Sequence, residues 1–282
     1  MSRLSVAVIT ASIGKPTLER TIQSVQQQSY PCRHYVFVDG EAYHAAAHAI
    51  LQHHPQVQAI YLPQNTGKNG WFNSFINAAA SFLVAEDIIC FLDDDNHIAP
   101  NHVASIVQQF QSPTDYVFAL RNFISPTGEH ICPDDIISTG AWHNQLNPYV
   151  FETQVGQHRF RTTLSDIHSF IDVNCYALPR SLAQSLANTW CIEGFGNDRN
   201  IFRELQNRQL IGRSTGQYTL NYTLDYQKII SPEFYQLFSQ RFSPELAKQL
   251  IHQLLPHLNA HNIACYQCEK PWAQVMPSNK TK

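Results

Sequence analysis

Charge is scarce in this chain. Asp, Glu, Lys and Arg make up 15% of its 282 residues, and the formal net charge is -3. There is no basic stripe to hold a phosphate backbone, which excludes nucleic acid as an expected partner and leaves any anionic ligand to local groups or a metal. Long apolar runs are lacking too, and nothing approaches the roughly 20 residues a membrane span needs. The apolar opening, Leu4–Thr10, runs into a turn signal with no small-residue cleavage site. It fits a first buried strand better than a signal peptide. The expectation is a cytoplasmic protein with no membrane span, with room for peripheral association at the inner face of a membrane. Neither G-x-x-x-x-G-K-S/T nor G-x-G-x-x-G occurs, which disfavours P-loop kinases and dinucleotide dehydrogenases. The 7 cysteines are odd in number and scattered, with Cys90 and Cys175 inside apolar runs. That usage suits buried free thiols in a reducing compartment, not a disulfide framework.

What is present is enough apolar content, 44%, to bury a substantial core. Along the first 120 residues, short apolar runs alternate with helical spacing. Strands are expected at Leu4–Thr10, His34–Val38, Val57–Leu62, Asp87–Leu92 and Tyr116–Leu120. Helices are expected at Thr17–Gln28, Ala42–His53, Asn69–Val84 and Pro100–Phe110. This predicts an α/β fold with a mostly parallel sheet covered on both faces. Ligands of such sheets sit beyond the carboxyl ends of the strands, which here carry Thr10, Ala11 and Ser12, then Asp39, then Asp93, Asp94 and Asp95. Between Arg121 and Ser169 the pattern weakens into a segment of binding-loop character. A strand (Ile171–Leu178), a helix (Arg180–Asn188), a loop and helix (Glu193–Gln206) and a strand (Tyr218–Leu224) follow. The tail from Pro232 to Leu258 reads as two helices split at Ser243-Pro244, with Ser243 as an N-cap and 277–282 frayed.

Three consecutive aspartates at a strand end repel one another unless something offsets the charge. A hard divalent cation does so, because Mg2+ and Mn2+ take one or two carboxylates plus phosphate and water. In an extended chain residues two apart point the same way, so Asp93 and Asp95 share a cation while Asp94 points elsewhere. The competing reading is a polar strand end in which Asp95-Asn96 caps the helix near Pro100.

Several segments resemble glycosyltransferase family 2, which has the GT-A fold. The stretch SVAVITASIGKPTLERTIQSVQQQSYPCRHYVFVDG has the family's strand, turn and helix, with Ser24, Val25, Gln28, Ser29 and Tyr30 at its Ser-Val-x-x-Gln-Ser/Thr-Tyr positions and a second strand ending in Asp. LPQNTGK, FLDDDNHIAPNHV and CIEGFGNDRNIFREL resemble the family's Asn-x-Gly, its Asp-x-Asp signature and the segment carrying its acidic residue after a Gly-Phe turn. The resemblance covers the first 110 residues well and 170–225 thinly. It implies a catalytic domain over 1–225, with a nucleotide-sugar half (1–120) and an acceptor half (121–225), and a helical extension over 226–282.

The resemblance also implies roles. Asp93 and Asp95 hold Mn2+ or Mg2+, and the donor site takes in Thr10, Ala11, Ser12, Asp39, Asn65, Gly67, Lys68, Asp93 and Asp94. Either Asn73 or Asn77 fits the family's second Asn. Asp39 is equally a turn residue before Gly40, and the family's usual Asp-Asp-Gly-Ser is Asp-Gly-Glu here. Asp198 is the expected catalytic base, with Glu193 its competitor. The implied reaction is inverting transfer from a nucleotide-sugar, a UDP-sugar ahead of others, to a carbohydrate or lipid-linked glycan in surface polysaccharide or glycoconjugate assembly. Two other readings remain: sugar nucleotidyl transfer, for which Ala11–Lys15 is poor in glycine and charge, and non-catalytic nucleotide-sugar binding. His257, His261, Cys265 and Cys268 have no recognised zinc spacing and are expected to be surface or packing residues.

Overall fold

The computed structural model describes residues 3–168, 170–226 and 243–275. Its first half follows the expected alternation: β1 (Val6–Ser12), α1 (Leu18–Gln26), β2 (Arg33–Asp39), α2 (His44–Leu51), β3 (Gln58–Leu62), α3 (Ser74–Leu83) and β4 (Ile88–Phe91). Burial explains the pattern. Val6, Val8 and Ile9 of β1 and Ile88, Ile89 and Phe91 of β4 are at most 3% exposed, as both faces of a covered parallel sheet require. Helix α1 turns Leu18, Ile22 and Val25 inward at i, i+4 and i+7.

Beyond β4 come β5 (His97–Ile98), α4 (His102–Gln109), β6 (Tyr116–Ile124), β7 (His130–Pro133), β8 (Tyr149–Val155) and β9 (His158–Leu164). They are followed by β10 (Tyr176–Pro179), α5 (Arg180–Ser185), α6 (Ala187–Trp190), α7 (Asn197–Asn207), β11 (Gly212–Thr223) and α8 (Pro244–Cys265). The main sheet runs β3-β2-β1-β4-β10-β6-β11-β5, with β7 paired to β6. Pairing is parallel from β3 to β4 and between β6 and β11. Strand β10 is antiparallel to both its neighbours, β4 and β6. The sheet is thus parallel in its N-terminal half and mixed beyond, because β10 returns after a long excursion and enters between β4 and β6 from the opposite end.

Several sequence expectations shift. The helix expected from Asn69 begins at Ser74, because Asn69 (φ 58°), Gly70 (φ 84°) and Phe72 (φ 51°) adopt left-handed backbone and break it. The weakly patterned 121–169 segment contains β7 and a separate β8–β9 hairpin, whose largely polar strands hide the alternation that marks a half-buried strand. The strand expected from Ile171 starts only at Tyr176, since Val173–Cys175 form a 3-10 turn capped by Asp172. Helix α4 starts after Asn101, so Asp95-Asn96 is not its cap. Ser243 is the N-cap of α8, accepting from Leu246 N at 3.3 Å, and the helix continues through Pro256 to Cys265. The helix expected from Pro232 to Ser243 and the tail at 277–282 lie outside the described residues. No helix among the described residues is long and apolar enough to cross a membrane.

Behind the sheet's carboxyl edge lies a buried ion network. Arg121, 4% exposed, donates to Asp134 (2.7 Å) and Asp172 and stacks on the rings of Phe123 and Tyr222. Removing the cation leaves two buried carboxylates uncompensated. Arg121→Met is therefore expected to cost about 3–5 kcal/mol of stability, read as a lower denaturation midpoint in urea at unchanged slope.

Candidate functional site

The acidic triplet does not continue its strand. β4 ends at Phe91, and Asp93–Asn96 form a turn closed by Asn96 N on Asp93 O at 3.2 Å. Turn propensity of the Asp-Asp-Asp-Asn run overrides strand alternation, so each carboxylate goes its own way. Asp93 points inward, where its two oxygens accept from Asn73 Nδ2 (2.8 Å) and Asn174 Nδ2 (2.9 Å). Its own N–H donates to Asn174 Oδ1 at 2.6 Å. Asp94 points at the end of β1, accepting from Ser12 Oγ (2.8 Å) and Ile13 N (3.2 Å). Asp95 points outward and pairs with Lys15 at 2.8 Å, while Lys15 also reaches Asp94 at 3.1 Å. Burial, and then the Asp95 charge, push the Asp93 carboxyl up to about 7. Burial also raises Asp94 against the pull of Lys15. For Lys15, burial opposes the charge, but the Asp94 and Asp95 carboxylates hold its ammonium above the ordinary lysine range.

These residues fit a hard divalent cation. The donors are carboxylate oxygens, with no histidine or thiolate among them. Each Asp93 oxygen spends one lone pair on an amide and keeps another. The Asp95 side chain is 37% exposed, so the mouth of the turn is open to phosphate and water. Among the described residues no group of three His, Cys, Asp or Glu forms a closed metal cage. An open pair of carboxylates is the form in which Mg2+ is held beside substrate phosphates.

The other residues expected in the donor site divide. Thr10 is fully buried and its hydroxyl meets His34 Nε2 at 2.9 Å, inside the sheet. Ala11 packs against the core, and Ser12 fixes the loop through Asp94. Asp39 builds the neighbouring loop: its oxygens accept from Thr66 N (2.7 Å), Thr66 Oγ1 (2.8 Å) and Gly67 N (2.9 Å). A carboxylate has about four acceptor positions, and the loop takes three of them. A Cβ on Gly67 would lie 2.4 Å from Phe72 O, so the turn carrying Asn73 closes only with glycine there. Asn65 lies beside Tyr43 (Nδ2 to OH, 3.4 Å), and Lys68 is exposed at the loop tip. Of the two candidate asparagines, Asn73 reaches the acidic turn, while Asn77 is buried within α3.

Asp198, the expected base, stands in the first turn of α7, one oxygen accepting from Arg199 N at 2.8 Å. Burial first, and then the Asp172 charge, push its carboxyl up to about 7. Glu193 is exposed and is held by Asn200 Nδ2 at 2.9 Å. Trp190 is core, packed 5.4 Å from Phe91, whereas Phe195 is 71% exposed.

A chain of amides ties the two sides together. Asn197 Nδ2 donates to Asn73 Oδ1 at 3.1 Å, and Asn73 donates to Asp93. Asn174 bridges Asp93 to Asp172, whose other oxygen meets Arg121. The loops are pressed together where a Cβ on Gly194 would fall 1.7 Å from Gly70 O. Sequence reasoning missed Lys15, Asn174, Asp172 and Asn197. The available signal was Asp172 and Asn174 interrupting an otherwise apolar run, since a buried polar residue carries an obligation to a partner. The His257–Cys268 run holds no metal cluster; His257 meets Gln253 O and His261 meets Gln145 O.

The family model described as Glycosyl transferase family 2 matches residues 5–178. A protein of Haemophilus influenzae described only as uncharacterized is 36% identical over 64 residues, which is 23% of this chain and 43% of that protein, so the match spans less than half of the relative. Among solved structures, GalNAc-T7 with UDP, GalNAc and Mn2+ is similar at TM-score 0.56 and 13% identity, over 88% of this chain and 48% of that one. The mannosyltransferase PcManGT from Pyrobaculum calidifontis, with GDP-Man and Mn2+, is similar at TM-score 0.50 and 14% identity, over 96% of this chain and 78% of that one. With its fold shared with these GT-A glycosyltransferases and more than half its length matched by the family model, the chain belongs to glycosyl transferase family 2.

Proposed function

We propose that this protein transfers a glycosyl unit from a nucleotide-sugar, a UDP-sugar ahead of others, to a hydroxyl of a carbohydrate or lipid-linked glycan, with inversion at the anomeric carbon. The observation that carries the reading is the amide chain from Asp93 through Asn73 to Asn197, which sets oxygen donors for a cation and the Asp198 carboxyl at one end of the sheet. Asp93 and Asp95 would hold Mn2+ or Mg2+, and the two structurally similar glycosyltransferases with bound Mn2+ support this. When bound, the ion neutralises the charge that develops on a departing diphosphate.

The chain's own residues do the rest. The loops at Ser12–Lys15 and Asn65–Lys68, pinned by Asp94 and Asp39, form the floor of a donor site. Asp198 accepts the proton of the attacking hydroxyl as the new glycosidic C–O bond forms and the bond to diphosphate breaks. The transition state is oxocarbenium-like, as in glycoside hydrolysis, and needs no separate acid because the leaving group is already an anion. Phe72 (52% exposed) and Phe195 (71% exposed) stand on the loops beside Asn73 and Asp198 and offer an apolar surface to an acceptor on a lipid carrier. A cytoplasmic enzyme lying against a membrane in surface polysaccharide or glycoconjugate assembly accords with this reading.

The test is thermal stabilisation by a panel of nucleoside diphosphates with and without Mn2+. A ligand at 100 times its Kd adds about 2.7 kcal/mol to the native state, a readily measured rise in melting temperature. A rise that needs both UDP and Mn2+ is the expected result. No rise with any diphosphate would remove the donor-site reading, and pyrophosphate release from a nucleoside triphosphate would mark nucleotidyl transfer instead.

A further inference from the structure

The acidic turn already holds a cation, and it belongs to the protein. Lys15 Nζ lies 2.8 Å from Asp95 Oδ2 and 3.1 Å from Asp94 Oδ1. The loop that delivers it is fixed at three points. Ile13 N donates to Asp94 Oδ2 (3.2 Å), Gly14 N donates to Ser12 Oγ (2.9 Å), and Gly14 turns the chain at φ 73°. A Cβ on Gly14 would lie 2.8 Å from Ala47 N, so the loop sits tightly on α2. Lys15 is therefore aimed at the turn by its backbone, although its side chain is 42% exposed. Asp93, by contrast, is held only by neutral amides.

The pair that fits a divalent cation thus has one free member and one already neutralised. An ion settling on Asp95 meets the Lys15 ammonium at ion-pair range, where like charges repel strongly in a partly desolvated site. A diphosphate changes that balance, because its oxygens receive the ion and the ammonium together.

We propose that Lys15 is a competing counter-cation, which holds divalent metal off Asp95 until a nucleoside diphosphate arrives, so that metal and nucleotide load as a coupled pair. The inference rests on the donor-site reading above. It makes Lys15 a positioning residue for metal loading and gives a definite sign: without the lysine, metal alone binds more tightly. By linkage, the factor by which nucleotide strengthens metal binding equals the factor by which metal strengthens nucleotide binding, and both shrink together.

The experiment is titration of the full chain with Mn2+, following the paramagnetic resonance of the free ion, with and without UDP. The proteins compared are the unaltered chain, Lys15→Met and Lys15→Arg, with Lys15→Gln in place of the first should its melting temperature show a loss of fold. The neutral variant is expected to bind Mn2+ alone at least tenfold more tightly, and its enhancement by UDP is expected to fall at least tenfold. Lys15→Arg keeps the charge and the coupling. A lysine that merely supports the loop predicts unchanged or weaker Mn2+ binding in the neutral variant, and either result overturns the proposal. Equal Mn2+ affinity with and without UDP in the unaltered chain would overturn it too while leaving the donor site standing. Failure of the unaltered chain to take up Mn2+ under any condition would remove the donor-site reading and this inference with it.

Discussion

Asp198→Asn is expected to retain metal-dependent nucleotide binding and to lose roughly a hundredfold or more in turnover, the scale of a lost general base. The substitution keeps the shape and the hydrogen bond to Arg199 N but removes the proton acceptor. Steady-state kinetics with nucleotide binding measured in parallel separates these effects, since a base acts on the chemical step and not on donor affinity. The pH profile adds a second readout. Burial and the Asp172 charge hold the Asp198 carboxyl at about 7. The base works only when ionised, so with donor and metal saturating, where Asp93 is already ionised on the metal, kcat should climb about tenfold per pH unit below that point and level off above it. Residual turnover in the variant should lack that limb. If Asp198→Asn turns over at a near-normal rate, the base lies elsewhere, with Glu193 first in line.

Asp95→Ala should abolish the part of nucleotide binding that depends on Mn2+. The expected loss is about a hundredfold or more, above the ten- to hundredfold typical of residues that only support a ligand. Calorimetric titration with UDP in the presence and absence of Mn2+ measures it. Asp94→Asn supplies the contrast. That side chain pins Ser12 and Ile13 and shares Lys15 with Asp95, so its loss should lower the melting temperature while metal-dependent binding survives. Survival of metal-dependent binding in Asp95→Ala would leave the acidic turn a structural feature.

The contrast between Asp94 and Asp95 shows where the sequence was legible and where it was not. Apolar periodicity located β1, β2 and β4 to within about two residues, because buried parallel strands must be continuously apolar. It therefore also placed Asp39 and the acidic triplet at the correct edge. Side-chain direction at that edge was not legible. Alternation holds only in extended chain, and a four-residue turn sends Asp93 to Asn73 and Asn174 and Asp95 to Lys15. Thr10, Ala11 and Ser12 were expected in the loop after β1, but the strand runs on through Ser12, and Thr10 meets His34 inside the sheet. Two partners that organise the site come from positions 80 or more residues away, Lys15 for Asp95 and Asn174 for Asp93, and no local pattern encodes such a pairing. Strands β8 and β9 escaped notice for another reason: a two-stranded ribbon with few buried side chains carries little hydrophobic signal.

The place of β10 bears on the order in which the chain can assemble. The strand that leads into the acidic turn, β4, has β1 on one side and β10 on the other. The pairing of Ile88 with Pro179 closes a loop of 91 positions, so β4 keeps an open edge while everything between is made. A ribosome reaches the acidic turn early, yet the turn gains its Asn174 partner only after β6 to β9 have been synthesised. High sequence separation of this kind slows folding, and an exposed apolar edge strand invites association with other chains in the interval. The first 120 residues are therefore not a unit of folding: the edge of β4, the strand that leads into the acidic turn, stays unpaired until β10 has closed the sheet.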